Sequence, residues 1–169
     1  MATRREPLRQ QSGTERPSLS LSHSVGYQIR TTHRLLQRAL QRRIEPHGVT
    51  LGMWYYLRVL WDHDGLTQRE LSRRIGTMEP TTFGAVAIME QHGLVFRVRN
   101  SADRRKINIF LTKKGRELES ILLPSAIEVV RIATRSLSER EQEMFLSMLT
   151  AVQDELESEP DQGGDTLNE

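Results

Sequence analysis

The stretch "LVFRVRNSADRRKINIFLT", residues 94–112, leaves this chain few ways to fold. Two runs alternate apolar and polar residues in the manner of half-buried strands. Between them lies "NSADRR", so the pair reads as a hairpin. Strict alternation sets Leu94, Phe96 and Val98 on one face of the first strand against Val95, Arg97 and Arg99. In the second strand Ile107, Ile109 and Leu111 oppose Lys106, Asn108 and Phe110. Arg104, Arg105 and Lys106 crowd the tip. Like charges in a tight turn repel, so such a tip suits a protein that meets something anionic when it works.

The segment before the hairpin carries helix-start signals of unusual clarity. In "LTQRELSRRI" Thr67 is placed as N-cap, Glu70 as its reciprocal N3 partner, and Leu66 with Leu71 as a hydrophobic staple. "MEPTTFGAVAIMEQHG" follows as a second short helix, with Thr77 as the expected cap, Pro80 tolerable in the first turn and Gly93 as the stop. Two short helices joined by a tight link form a helix-turn-helix, and a hairpin directly after them makes it winged. Ahead of the pair, "LGMWYYLRVLW" is apolar on nearly every side and should be central, with Thr50 as cap and Val49 and Trp54 as staple.

Long helices flank this unit. From Ser22 to about Glu45, Val25, Ile29, His33 or Leu36, Leu40 and Ile44 form one narrow apolar stripe, the mark of a helix that packs on another chain. From Lys113 a second long helix is expected to bend at Pro124. A last helix, capped by Ser138 with Glu141, repeats Phe145, Leu149, Val152 and Leu156 as a seam for a partner. The fold class is therefore mainly α with a small β-hairpin wing: a winged helix-turn-helix at about 50–112, long helices over 21–46 and 113–157, a disordered arm at 1–20 and an acidic tail at 158–169.

Charge divides along the same lines. Residues 1–116 hold 21 Lys and Arg against 9 Asp and Glu, while residues 117–169 hold 3 against 13, which leaves the net +2. A basic end suits nucleic acid and an acidic remainder does not. No apolar run is long enough to span a bilayer, and the first 20 residues lack the apolar core of a secretory leader, so a cytoplasmic protein is expected. With no cysteine there is no disulfide, thiolate zinc site or thiol switch.

With that order of elements, "LTQRELSRRI", "EPTTF…ME..GLVFR" and above all "DRRKINIFLTKKG" resemble the MarR (multiple antibiotic resistance regulator) family of bacterial transcription factors, over about 22–157. The resemblance implies a homodimer with interwoven terminal helices, two projecting winged helices, near-palindromic double-stranded DNA as partner, and usually repression relieved by a small ligand. Arg104 matches the family's minor-groove arginine, with Asp103 expected to orient it. Arg105, Lys106, Arg73, Arg74, Arg97 and Arg99 read as phosphate contacts, which position without specifying. One departure matters: where relatives often carry a basic residue this chain has Gly84, and no Lys or Arg lies between Met78 and Gln91. Base contacts are then left to Thr81, Thr82 and Phe83, by hydroxyls and by apolar touches to thymine methyls.

The resemblance implies an effector site between the long first helix, the apolar second helix and the reading head. Tyr27, Arg30 and His33 on the first helix and Trp54, Tyr55 and Arg58 on the second are the candidates for it. Aromatic walls with an arginine suit an aromatic acid or an aryl-coenzyme A thioester. The same aromatics also read as ordinary core. No paired histidine spacing for a metal, no cofactor motif and no catalytic motif is present, which excludes the common enzyme classes. The competing reading is a winged-helix module that binds protein instead of DNA.

Overall fold

The computed structural model describes residues 20–159. The expected N-terminal arm but for Ser20, and all of the acidic tail but its first two residues, lie outside the described residues. The chain divides at Leu35 into two compact units. The first contains a 3-10 turn, Leu21–His23, and the opening half of α1 (Val25–Ile44), where Val25, Ile29 and Leu35 are exposed.

The second unit continues from Leu36 through α2 (Leu51–Asp62), β1 (Leu66–Thr67), α3 (Gln68–Ile75), α4 (Glu79–Gln91), β2 (Val95–Arg99), β3 (Ile107–Leu111), α5 (Lys113–Ala133) and α6 (Glu139–Ser158). Each start obeys local chemistry. The Thr50 hydroxyl accepts from the Met53 amide at 3.3 Å, and Val49 and Trp54 close the staple as buried residues. Thr67 and Glu70 form a complete capping box, as do Ser138 and Glu141. At α4 the expectation fails. Met78 is the N-cap and offers no side-chain bond, while the Thr77 hydroxyl lies 3.0 Å from the buried Thr82 hydroxyl. A buried hydroxyl left alone costs more than an uncapped exposed turn, so Thr77 serves Thr82 instead.

The hydrophobic core joins α2 to everything around it. Leu57, Leu60, Leu71, Val86, Met89, Ile109 and Leu122 are fully buried, each contributing about 1.5–3 kcal/mol of apolar burial. The sheet has three antiparallel strands in the order β1-β3-β2, one more than the hairpin alone. Its register pairs Val95 with Leu111 and Arg97 with Ile109. Since Ile109 and Leu111 face the core, the inward face of β2 carries Val95 and the half-buried Arg97. Phe96 and Val98 are exposed, and Phe96 stacks on Phe110 with centroids 5.7 Å apart. α5 runs through Pro124 without a break, and α6 buries none of its residues.

The α3 capping box yields a stability prediction. The Glu70 carboxylate accepts from the Thr67 hydroxyl at 2.6 Å and the Thr67 amide at 2.9 Å, and these bonds hold its pKa below the ordinary glutamate value. The unfolded chain therefore binds the proton first as pH falls. The stabilisation is complete above the unfolded pKa and disappears as pH drops through the folded one. Thr67→Ala is expected to cost about 1 kcal/mol in urea denaturation at neutral pH. It should also flatten the acid limb of the stability profile; an unchanged limb would count against the box.

Candidate nucleic-acid interface

The wing tip is a folded turn built on Asn100. Its side-chain oxygen accepts from the amides of Ala102 and Asp103, both at 2.9 Å, and the Asn100 amide donates to the Lys106 carbonyl at 3.0 Å. The Asn100 side-chain amide then donates to Asn108, whose own amide donates to the Gly65 carbonyl at 2.6 Å. This chain of amides ties the tip to the loop before β1.

Asp103 does not hold Arg104. Its Oδ1 accepts from both the Arg105 amide and the Arg105 Nε at 3.1 Å, an Asx-turn arrangement that brings the second arginine of the pair to the carboxylate. The Arg105 guanidinium keeps the Asp103 carboxyl below its usual range. Arg104 is exposed and, among the described residues, has no acid partner. Lys106 and Arg99 are exposed beside it.

A cleft of about 690 Å³ separates the wing from α3, and Arg69, Glu70 and Arg73 line it opposite Asp103, Arg105 and Lys106. Arg73 and Arg74 are exposed in the last turn of α3. Arg69, not among the expected contacts, lines the cleft and pairs with Glu79 at 3.6 Å, placing a cation at the foot of α4. Only the tertiary meeting of α3 with α4 makes that pair visible.

Two expected contacts are withdrawn. Thr82 is 0% exposed, bonded to Thr77 and 3.4 Å from the Tyr56 hydroxyl, so its hydroxyl is spent in the core. Arg97 is not a free phosphate ligand. Its guanidinium donates to Glu90 at 2.6 Å and to the Phe83 carbonyl at 3.2 Å, and lies 4.9 Å from the Phe83 ring centroid. Thr81 and Phe83 remain exposed on α4, as expected for a reading helix. Glu90, the residue that claims Arg97, had no local signal, because seven residues and a change of element separate the two.

Known proteins share this fold. The sequence pattern of the MarR family matches residues 49–107, from the start of α2 into the wing. A MarR transcriptional regulator from Methanosarcina mazei Go1 has a crystal structure that superposes with a TM-score of 0.72. It is 30% identical, and the match covers 79% of this chain and 96% of that one. The chain belongs to the MarR family. It is accordingly a DNA-binding transcriptional regulator and not an enzyme. The HTH-type transcriptional regulator TtmR of Methylorubrum extorquens is 28% identical over 152 residues, 90% of this chain and 76% of that protein. The S. aureus MepR–DNA complex gives a TM-score of 0.74 at 25% identity, covering 79% of this chain and 98% of that one.

The expected effector residues of this MarR-family protein are distributed over both units. Tyr27, Arg30 and His33 are exposed on the first half of α1, within the first unit. In the second unit Trp54 is core, meeting Trp61 edge-on at 5.6 Å, which favours the ordinary-core reading of that ring. The Tyr55 hydroxyl accepts from Gln37 at 3.3 Å. Arg58 is half-buried with its guanidinium 6.0 Å from the Trp54 ring centroid, and among the described residues no carboxylate pairs with it. No helix of the described residues is long and apolar enough to cross a membrane.

Proposed function

We propose that this protein is a cytoplasmic, homodimeric repressor that binds near-palindromic operator DNA through two winged helices and is released by a small anionic effector. The pairing pattern of the wing carries the reading. Asp103 occupies Arg105 and Glu90 occupies Arg97, while Arg104 is held out at the tip of an amide-braced turn without an acid partner among the described residues. A cation displayed on a rigid turn fits the minor groove, where the negative potential concentrates. Arg69, Arg73, Arg105 and Lys106 around the adjoining cleft suit the phosphates beside it.

The long helices support the dimer. Ile121, Ile127 and Val130 of α5 and Phe145, Leu146, Met148 and Val152 of α6 are exposed apolar residues. Exposed apolar residues along both long helices suit burial against a partner. A second copy offers the same stripe, and a two-fold pair of wings matches a two-fold operator.

Binding to duplex DNA across a potassium chloride series tests the operator reading. Log affinity should fall steeply and linearly with log salt, by about 0.9 per phosphate neutralised. Salt-insensitive or absent binding would overturn it in favour of a protein-interaction module.

For the effector, Arg58 is the anchoring group. A half-buried cation without a carboxylate is costly unless an anion meets it. The class proposed is an aromatic acid or aryl-coenzyme A thioester, whose anionic group Arg58 would meet. Thermal denaturation against a panel of these compounds is expected to find one that stabilises by about 2.7 kcal/mol at a hundredfold excess over its Kd. Arg58→Leu should abolish that shift and leave duplex affinity unchanged. A shift that survives the substitution removes Arg58 from the site.

A further inference from the structure

The reading helix of this regulator carries no cation, and its exposed surface is unusually apolar. Met78 at its N-cap is 76% exposed, Phe83 54% and Ile88 48%. Gly84 lies on the same outer surface, and a Cβ built there meets nothing within 4 Å, so no packing inside the chain calls for a glycine in mid-helix. A glycine there costs about 1 kcal/mol of helix stability relative to alanine. It leaves the backbone bare where another molecule approaches.

Phe83 is also held in place from the wing. Arg97 crosses from β2, lies over the ring at 4.9 Å and donates to the Phe83 carbonyl, while Glu90, two turns along α4, anchors the same guanidinium at 2.6 Å. Only 22% of the Arg97 side chain and 30% of Glu90 remain exposed. The charge of Arg97 is therefore used within the protein, and its flat face supports a ring that would otherwise swing freely. An exposed aromatic ring held by a spent cation is arranged for contact.

The second helix of a helix-turn-helix lies in the major groove, where the 5-methyl group of thymine is the apolar feature that distinguishes one base from the others. Arg69 and Arg73 of α3 and Arg105 and Lys106 of the wing line a cleft that reaches Glu79 in the first turn of α4, so cations stand near the start of the reading helix. We infer that Phe83, positioned by Arg97 and Glu90, reads thymine 5-methyl groups in each half-site, and that sequence preference on α4 is set by methyl contact in place of hydrogen-bonded arginine. This rests on the operator reading proposed above.

The test uses the full chain and a duplex enriched with it from a random-sequence library. That duplex is resynthesised with deoxyuridine replacing thymine at each position in turn, which deletes only the methyl group. At one symmetry-related pair of positions the loss is expected to be about fourfold per methyl, the worth of one buried carbon. Phe83→Ala should bring the thymine-to-uracil ratio at that pair to one, with Phe83→Leu retaining part of it. Arg97→Gln, which keeps Phe83 but frees its ring, should lower the ratio without changing the salt slope. Equal affinity for thymine and uracil at every position, on a duplex that is enriched and bound with steep salt dependence, overturns methyl reading and leaves operator binding standing. A ratio that persists in Phe83→Ala removes the assignment to Phe83. Failure to enrich or bind any duplex overturns this inference together with the operator reading.

Discussion

Gly115→Ala is expected to destabilise the fold by about 3 kcal/mol, the upper end of what overpacking costs, although helix propensity alone predicts a gain of about 1 kcal/mol. Gly115 is buried in the first turn of α5, against the backbone of Leu94 just ahead of β2. An added Cβ would lie 2.1 Å from the Leu94 carbonyl oxygen and 3.2 Å from Leu111 Cδ2. The nearer atom is backbone and cannot rotate aside. It is also the acceptor for the Thr112 amide at 3.0 Å, so moving it disturbs the cap of α5. Moving α5 instead pulls the Gly115 carbonyl from Trp61 Nε1, now 2.9 Å away. Urea denaturation of variant and parent at one fixed protein concentration measures the change. A variant as stable as the parent would show that α5 does not approach the Leu94 backbone as described.

Arg104→Ala is expected to weaken operator binding by about a hundredfold, roughly tenfold for each wing of a dimer, with a shallower salt dependence. The neighbouring Arg105→Ala should lose distinctly less. Asp103 already accepts from Arg105 and competes with a phosphate for it, whereas Arg104 has no such partner among the described residues. A titration of the two variants and the parent against one operator duplex at several salt concentrations decides the order. Equal losses, or a larger loss for Arg105, would mean that the turn opens on DNA and that the pairing of Asp103 does not persist in the complex.

The order of those two arginines also shows what kind of information the sequence lacked. Asp103 was expected to orient the adjacent Arg104, yet it is an Asx turn that decides which guanidinium reaches the carboxylate, and it selects Arg105. The strand faces show the same limit. Alternation in β3 was readable because Ile107, Ile109 and Leu111 leave one choice of inner face. In β2 both faces hold apolar residues, and the register against β3 turned Val95 inward and Phe96 and Val98 out. β1 was hidden because its two residues also serve as the staple and cap of α3.

What the sequence determined by itself was a set of features governed by contacts within a few residues. The capping boxes at Thr67 and Ser138, the cap at Thr50 and the basic hairpin tip were legible because a cap bonds three residues along and a strand repeats every two. Those signals in order were enough to imply a winged helix-turn-helix. The tertiary structure alone decided how α4 is rotated against α2 and α3. That rotation buried Thr82 against Tyr56 and left Thr81 outside, and it brought Glu90 and Phe83 to Arg97. Adjacent helical residues differ by about 100° in direction, so which of two threonines faces outward depends on the neighbouring surface and not on either residue.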